Sequence, residues 1–461
     1  MNFLDNVFHL KEHGTDVRTE VMAGITTFMA MAYILAVNPS ILGTTGMDQG
    51  AVFTATALSA IAGTFLMVLF SNYPFALAPG MGLNAYFAYT VCGSMGYSWE
   101  IALAAVFVEG IVFILLSLTN VREAIFNAIP TTLKFAVTAG IGLFIAFLGL
   151  KNANLIVANP STYVAIFPFK EAMETGAIHS QGVGAALAFV GILITGVMMI
   201  RNVKGNILWG IVITWGIGIV LQLVGIYVPN EELGMGSLLP DFSNGISIPS
   251  MAPTFAKLQF GSGVLSLDFA IVVFAFLFVN LFDTLGTLVG VASKANMLDE
   301  EEKLPKIKGA LLADAIATSI GALFGTSTTT TFVESAAGVA EGGRTGLTSV
   351  VVMILFGLSL FLSPIFLAIP SFATAPALVI VGFLMLSSVL KINFDDITEA
   401  LPAFICIIAM PLMSSISEGI ALGIISYVLL NVFSGKAKEK KITVLMYALA
   451  IIFILKYIFI A

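Results

Sequence analysis

Apolar runs of about 20 residues recur along the whole chain, separated by short polar connections, and each is long enough to cross a bilayer as a helix. The pattern predicts spans at 20–43, 51–70, a short one at 83–92, 99–118, 130–150, 183–200 and 205–228. A second group follows at 265–290, 308–325, another short one at 332–340, 346–367, 371–390, 398–414 and 416–434. These are two sets of seven, each with a stunted third member. The expected fold is therefore an all-α polytopic membrane protein of 14 segments. A last apolar stretch, Ile442–Ala461, falls outside this scheme. It fits either a span or an interfacial helix, and Lys456 within it leans toward the second.

An odd number of spans per half brings the second half into the membrane from the opposite side. AIPTTLKFAVTAGIGLFIAFLGLK (Ala128–Lys151) is echoed by AIPSFATAPALVIVGFLMLSSVLK (Ala368–Lys391) at a constant offset. On the predicted topology the first begins inside and ends outside, and the second does the reverse. Such a 7+7 inverted repeat is characteristic of secondary transporters.

Charge placement agrees with this count. With the N-terminus (1–19) in the cytoplasm, the inner side collects Lys11, Arg18, Arg122, Lys134, Arg201, Lys204, Lys294, Lys303, Lys306, Lys308, Arg344, Lys391, Lys436, Lys438, Lys440 and Lys441. The outer side receives only Lys151, Lys170 and Lys257. This is the positive-inside asymmetry; the expected location is the plasma (inner) membrane, as a multi-pass protein.

Composition narrows the class further. Of the 461 residues, 58% are hydrophobic and 10% charged, against about 25% charged in ordinary globular chains, so a soluble domain is excluded. No basic patch points to nucleic acid. The polar lead MNFLDNVFHLKEHGTDVRTE does not read as a cleaved signal. Cys92 and Cys406 lie in apolar segments and do not suggest a disulfide framework. His9, His13 and His179 make no credible metal site, and no cofactor motif is present.

The two stunted spans carry the chemistry. In SNYPFALAPGMGLNAYFAYTVCG (Ser71–Gly93), Pro74, Pro79, Gly80 and Gly82 forbid a continuous helix. Its counterpart, GTSTTTTFVESAAG (Gly325–Gly338), is broken by β-branched threonines that prefer extended chain. Irregular backbone at membrane depth must be buried in protein or line a cavity. Two short strands entering from opposite sides are expected to pair and satisfy each other's amides. Each then feeds a half-helix, starting near Asn84 and near Phe332, whose N-terminus faces the midplane. Such matched interruptions point to a transporter's binding site.

Glu334 has two readings. Thr331-Phe332-Val333-Glu334 fits a capping box, which needs no ligand. An ionisable side chain at membrane depth is also a functional candidate by default. Asp283, in FVNLFDTLGTLVG, is the other deep carboxylate, with Gly286 permitting close approach and Thr287 one turn on. Its plain alternative is a buried Asp bonded to a neighbouring helix. Asp314, Asp396 with Asp395 and Glu399, and Glu418 read as structural, the last as a complement to its helix dipole. Two carboxylates sharing a low-dielectric site should not both stay ionised, because desolvation and repulsion disfavour the second charge. The site would then have a proton to carry.

APGMGLNAYF (Ala78–Phe87), NLFDTLGTLVG (Asn280–Gly290), TSTTTTFVESAAGVAEGGRTGLT (Thr326–Thr348) and TTFMAMAYILAVNP (Thr26–Pro39) together resemble the hypoxanthine–adenine–guanine permeases. These form a branch of the nucleobase–cation symporter group related to the nucleobase–ascorbate transporters. The resemblance covers roughly residues 15–434. It implies a core domain (20–118 and 265–367), a gate domain (130–228 and 371–434) and a basic C-terminal addition at 435–461. It also implies proton-coupled symport of a purine nucleobase, often by a homodimer, with no cofactor and no catalysis. By motif match the site residues are Glu334, Asp283 and Asn84. Ser335 and Thr287 join the substrate-binding candidates, and Phe28 or Phe332 is the expected stacking partner. Asp283 is the expected proton switch and Glu334 the base-binding partner. The uracil and xanthine branches usually carry Glu where this chain has Asp283, which favours a purine. The competing expectations are an anion transporter of the same architecture, similar to the sulfate permeases, and a membrane-embedded enzyme using Asp283 and Glu334 as acid and base.

Overall fold

A computed structural model describes residues 3–119, 129–230, 235–243, 245, 247–261, 266–294, 297 and 304–459. Of the predicted inner-side cations, Arg122 and Lys303 lie outside them. Ten helices among the described residues are long and apolar enough to cross a membrane, and shorter apolar helices occur at Asp268–Leu281, Ile397–Leu412 and Val444–Leu455. The first of the ten, Val17–Gly43, bends at Ala32 and Tyr33. There Leu35 and Ala36 donate to the carbonyls of Ala32 and Tyr33, a tighter turn than the α-helix allows. The apolar pattern gave no sign of this bend.

The two interrupted segments meet as expected. Leu77–Pro79 pairs antiparallel with Thr329–Thr331, in the register Leu77 to Thr331, Ala78 to Thr330 and Pro79 to Thr329. A two-stranded ribbon leaves both outer edges unpaired, and neighbouring side chains fill them. Thr64 accepts from the Leu77 amide at 2.9 Å. Asp314 accepts from the Thr331 amide at 2.8 Å, and Thr318 donates to the Thr329 carbonyl at 3.1 Å. Beyond the strands, Ser335 Oγ accepts from the Ala76 amide at 3.0 Å. This bonding is what allows extended backbone inside an apolar interior. It also gives Asp314 the structural role its sequence position suggested.

The half-helices begin three residues from their predicted starts, in opposite directions. One runs from Met81 to Ala85 and continues as a π-helix from Tyr86 to Ser94; the other is the short helix Ser335–Ala340. A hairpin, Ile156–Asn159 with Tyr163–Ile166, occupies a connection for which the apolar pattern predicted nothing.

The echoed segments become the helices Thr131–Asn152 and Ser371–Leu386, and they cross in direct contact. A Cβ on Gly142 would lie 2.6 Å from the Gly382 carbonyl oxygen, and one on Gly382 would lie 2.3 Å from that of Gly142. The two glycines hold the same place in the two echoed segments. Side chains cannot be accommodated there without moving backbone. Gly382→Ala is therefore expected to cost about 1–3 kcal/mol, read as a lower melting midpoint of the purified protein. An unchanged midpoint would show that the crossing is not held this tightly.

Beyond the fourteen expected spans, Val444–Phe459 is helical and packs against Ile416–Phe433. Tyr457 donates to the Glu418 carboxylate, so Glu418 does more than complement its own helix dipole. Phe453 approaches Phe274 on the helix Leu267–Lys294, with ring centroids 6.2 Å apart. The basic linker is tied down as well: Lys440 donates to Asp396 at 2.5 Å and to Glu399 at 2.6 Å. Glu399 also accepts from Thr132 at 2.5 Å. Asp396 caps its helix through the Thr398 amide, and hydrogen bonds from Lys440 and Thr398 hold its carboxyl well below the usual carboxylate range. Its contribution is present at ordinary pH and is lost only as pH falls through that depressed value. Asp396 and Glu399 are thus structural, as their sequence positions suggested.

Candidate functional site

The antiparallel ribbon brings the ends of both broken segments to one cavity of about 50 Å³. Four elements form one side: Tyr33 at the bend of the first helix, Gly80–Leu83 at the start of the first half-helix, one face of Leu267–Lys294, and Thr331–Glu334. Ile141 on Thr131–Asn152 and Val381 and Met385 on Ser371–Leu386 close the other side. The polar side chains of the lining, Tyr33, Asp283, Thr287, Thr331 and Glu334, therefore all lie on the first side, and the second is apolar.

Asp283 and Thr287 face this cavity from adjacent turns, together with Val279. Gly80 lets the two broken segments approach behind this wall: a Cβ there would lie 2.8 Å from Thr330 Cγ2, while Asp283 Oδ2 would sit in ordinary contact at 3.6 Å. Gly82 has the same function toward the apolar wall, since its Cβ would fall 2.7 Å from Ile141 Cγ2. The glycines predicted only to break a helix also set the width of the site.

Glu334 lies half-buried at the cavity and accepts a hydrogen bond from the Tyr33 hydroxyl at 2.6 Å. The capping-box reading does not hold. Glu334 is itself the N-cap residue of Ser335–Ala340 and makes no side-chain cap bond, while the Thr331 hydroxyl donates to Asp314 at 3.1 Å. The carboxylate points into the cavity instead.

The remaining expected site residues divide. Phe332 lines the cavity, its ring 6.5 Å from that of Tyr33. Phe28 does not: it packs edge-on against Phe356, with centroids 5.3 Å apart. It sits on the first helix more than a turn before the bend that carries Tyr33 inward, so the stacking expectation rests on Phe332 alone. Asn84 and Ser335 are fully buried behind the cavity wall rather than part of it. Asn84 accepts from Ser327 and reaches the Pro79 carbonyl at 3.4 Å, and Ser335 holds the Ala76 amide. Each bonds one broken segment to the other. A helix that starts at Met81 rather than Asn84 turns Asn84 away from the cavity.

A cavity between two interrupted segments, with two carboxylates on one wall and an apolar wall opposite, is the candidate site of this chain. Residues 18–453 match the Permease family of xanthine and uracil permeases. The chain belongs to this family. The permease is 44% identical to the guanine/hypoxanthine permease PbuO of Bacillus subtilis, over 96% of this chain and 98% of that one. It is also 44% identical to the adenine permease AdeP of Escherichia coli, over 99% of this chain and 96% of that one. Such relatives are transporters and not enzymes. Among solved structures, the transmembrane domain of the cyanobacterial bicarbonate transporter BicA superposes with a TM-score of 0.61 at 17% identity, covering 88% of this chain and 97% of that one. SLC26A9 superposes with a TM-score of 0.62 at 10% identity, covering 91% of this chain and 66% of that one. At these identities the permease shares a fold with anion transporters, and the likeness goes no further.

Two residues of the permease escaped the sequence reading. Tyr33 lies in an apolar run and reaches Glu334 only because the helix bends beneath it. Glu109 is a lone carboxylate in the apolar helix Trp99–Ser117 and is fully buried. Its signal was available, since membrane-depth acids are exceptional.

Proposed function

We propose that this permease takes up purine nucleobases, namely hypoxanthine, guanine and adenine, together with protons by alternating access. The observation that carries the proposal is the pairing of Asp283 and Glu334 on one cavity wall, in a chain nearly half identical along its whole length to guanine/hypoxanthine and adenine permeases.

A purine is flat and uncharged, with donors and acceptors along its edges. The carboxylate of Glu334 accepts from ring or exocyclic N–H groups. Phe332 covers one face, and Ile141, Val381 and Met385 provide apolar contact. Buried polar edges left unpaired cost about 1–3 kcal/mol each, which makes the pocket selective for matching edges. Paired acids suit such a ligand and repel an anion, so the anion-transporter alternative is disfavoured despite the shared fold.

A cavity of about 50 Å³ has room for a few waters. The base enters where the two walls separate, and that separation is the alternating-access step. The paired interruptions and the Gly142–Gly382 crossing support the 14-span, 7+7 arrangement, with core and gate domains meeting at the cavity. The gate helices cross backbone to backbone, so the gate moves as one body. We place the N-terminus in the cytoplasm on the charge asymmetry, the chain in the plasma membrane, and the permease in a homodimer by likeness to the family.

The test is uptake of labelled hypoxanthine by cells expressing the chain, with and without a protonophore, competed by guanine, adenine, xanthine, uracil and sulfate. Uptake that collapses with the proton gradient and yields to purines supports the proposal. Absence of purine uptake by a protein shown to reach the membrane would overturn it.

Tyr33→Phe offers a finer check. Removing the hydroxyl frees one Glu334 lone pair and deletes a hydrogen bond to a charged group, worth about 1.5–3 kcal/mol. Hypoxanthine affinity is expected to change by tenfold or so, with folding intact. An unchanged Kd would place Tyr33 outside the recognition set.

A further inference from the structure

Glu109 is a fully buried carboxylate that the binding site does not use. Its two oxygens have different partners. Oε1 accepts from the Asn280 side-chain amide at 2.7 Å, and Oε2 accepts from the Thr328 hydroxyl at 3.0 Å. Both donors are neutral. Asn280 lies on the helix that carries Asp283 and is one turn before it. Thr328 immediately precedes the strand that leads to Glu334, and its carbonyl accepts from the Gly80 amide at 3.0 Å. Glu109 thus touches the supports of both site carboxylates.

The two contacts differ in what they permit. An amide NH2 can only donate, so Oε1 must remain an acceptor. A hydroxyl can donate or accept, so Oε2 can carry a proton if Thr328 reverses its role. The network continues in the same manner. Thr284 Oγ1 lies 3.0 Å from Asn280 Oδ1, 2.8 Å from Asp314 Oδ2 and 3.0 Å from Thr330 Oγ1, yet it has one hydrogen to give. Thr330 in turn abuts Gly80, beside Asp283. Glu109 is thus linked to the cavity wall through the Asn280 amide and the Thr284 and Thr330 hydroxyls, while the reversible contact at Glu109 itself is the one with Thr328.

The helices packed on Trp99–Ser117 carry a limited set of ionisable groups. Asp314 and Asp283 are on the interior stretches of Ile307–Phe324 and Leu267–Lys294, with Lys308, Asp268 and Lys294 near their ends. Tyr86, Tyr89 and Cys92 lie on the π-helix.

We infer that Glu109 is a further proton-binding group of the transport cycle, gaining its proton on Oε2 against Thr328 and thereby positioning both the Asp283 helix and the Gly80 turn. When the proton arrives, the Thr328 hydroxyl turns from donor to acceptor while Asn280 stays in place. When it leaves, the original bond reforms. This rests on the proton-coupled reading above.

Glu109→Gln separates proton binding from structure. A glutamine keeps the shape, accepts from Asn280 through its oxygen and donates to Thr328 through its nitrogen, so both contacts survive. The measurement is hypoxanthine uptake into proteoliposomes containing the full chain, at an outside pH of about 6 and about 8, for wild type and E109Q. The expected result is an uptake ratio between the two pH values lowered by about threefold or more, with KM at the acid pH unchanged. An equal loss at both pH values, or a wild-type ratio, would leave Glu109 a structural residue and overturn the inference. If E109Q does not fold, Thr328→Val removes only the reversible hydroxyl. It should lower the same ratio, and a wild-type ratio in that variant overturns the inference equally. A wild type that takes up hypoxanthine with no pH dependence removes the proton-coupled reading itself, and this inference with it.

Discussion

Glu334→Gln is expected to weaken hypoxanthine binding by about 10- to 150-fold, the equivalent of one hydrogen bond to a charged group at about 1.5–3 kcal/mol. The loss should appear in Kd measured on the purified permease as well as in KM for uptake. Glu334 is placed for this effect because its carboxylate faces the cavity and makes no cap bond to its own helix. Tyr33 already uses one oxygen at 2.6 Å. The carboxylate keeps acceptor capacity for the ligand edge, and a glutamine that presents its NH2 there opposes a purine N–H with another donor. The protein itself should tolerate the change, since no backbone amide of the short helix depends on this side chain for capping. A fall in thermal stability without a change in Kd would reverse this assignment and make Glu334 a structural residue after all.

The apolar helices and the two interruptions were legible in the sequence because each has a one-dimensional signature. Twenty apolar residues fix a span length, and prolines, glycines or a threonine run break one. Even the pairing of Leu77–Pro79 with Thr329–Thr331 followed, because unpaired amides at that depth had nowhere else to go. Side-chain direction was harder to read. A half-helix starting three residues early turned Asn84 behind the wall, and one starting three residues late left Glu334 at its cap position. Phe28 and Tyr33 lie on one helix, and a bend with no proline or glycine at it decided which of them reaches the site. The Thr331–Glu334 spacing matched a capping box, but Asp314, close in space though 17 residues away in sequence, claimed the threonine first. Motif matching located the cavity to within a turn. Which atoms face it depended on helix phase and on competition among buried partners, and neither is written in a local pattern.

Asp283→Asn is expected to abolish concentrative uptake while leaving exchange of purine across the membrane. One proton moving down a potential of about 100 mV supplies about 2.3 kcal/mol, enough for roughly a 40-fold accumulation. In the variant the steady-state ratio of inside to outside hypoxanthine should approach one and lose its sensitivity to a protonophore. The prediction rests on position. Asp283 and Thr287 face the cavity from the helix Leu267–Lys294, on the same wall as Glu334, and Gly80 leaves Asp283 Oδ2 close to the half-helix backbone without a side chain between them. Two carboxylates in one small, weakly solvated space disfavour a second charge. An asparagine mimics the protonated acid in size and hydrogen bonding but cannot release a proton. It should therefore keep the site able to bind and the walls able to move, while cutting the link to the gradient. Accumulation by D283N that still collapses with a protonophore would place the coupling proton elsewhere, and the fully buried Glu109 would then be the first residue to substitute in the same assay.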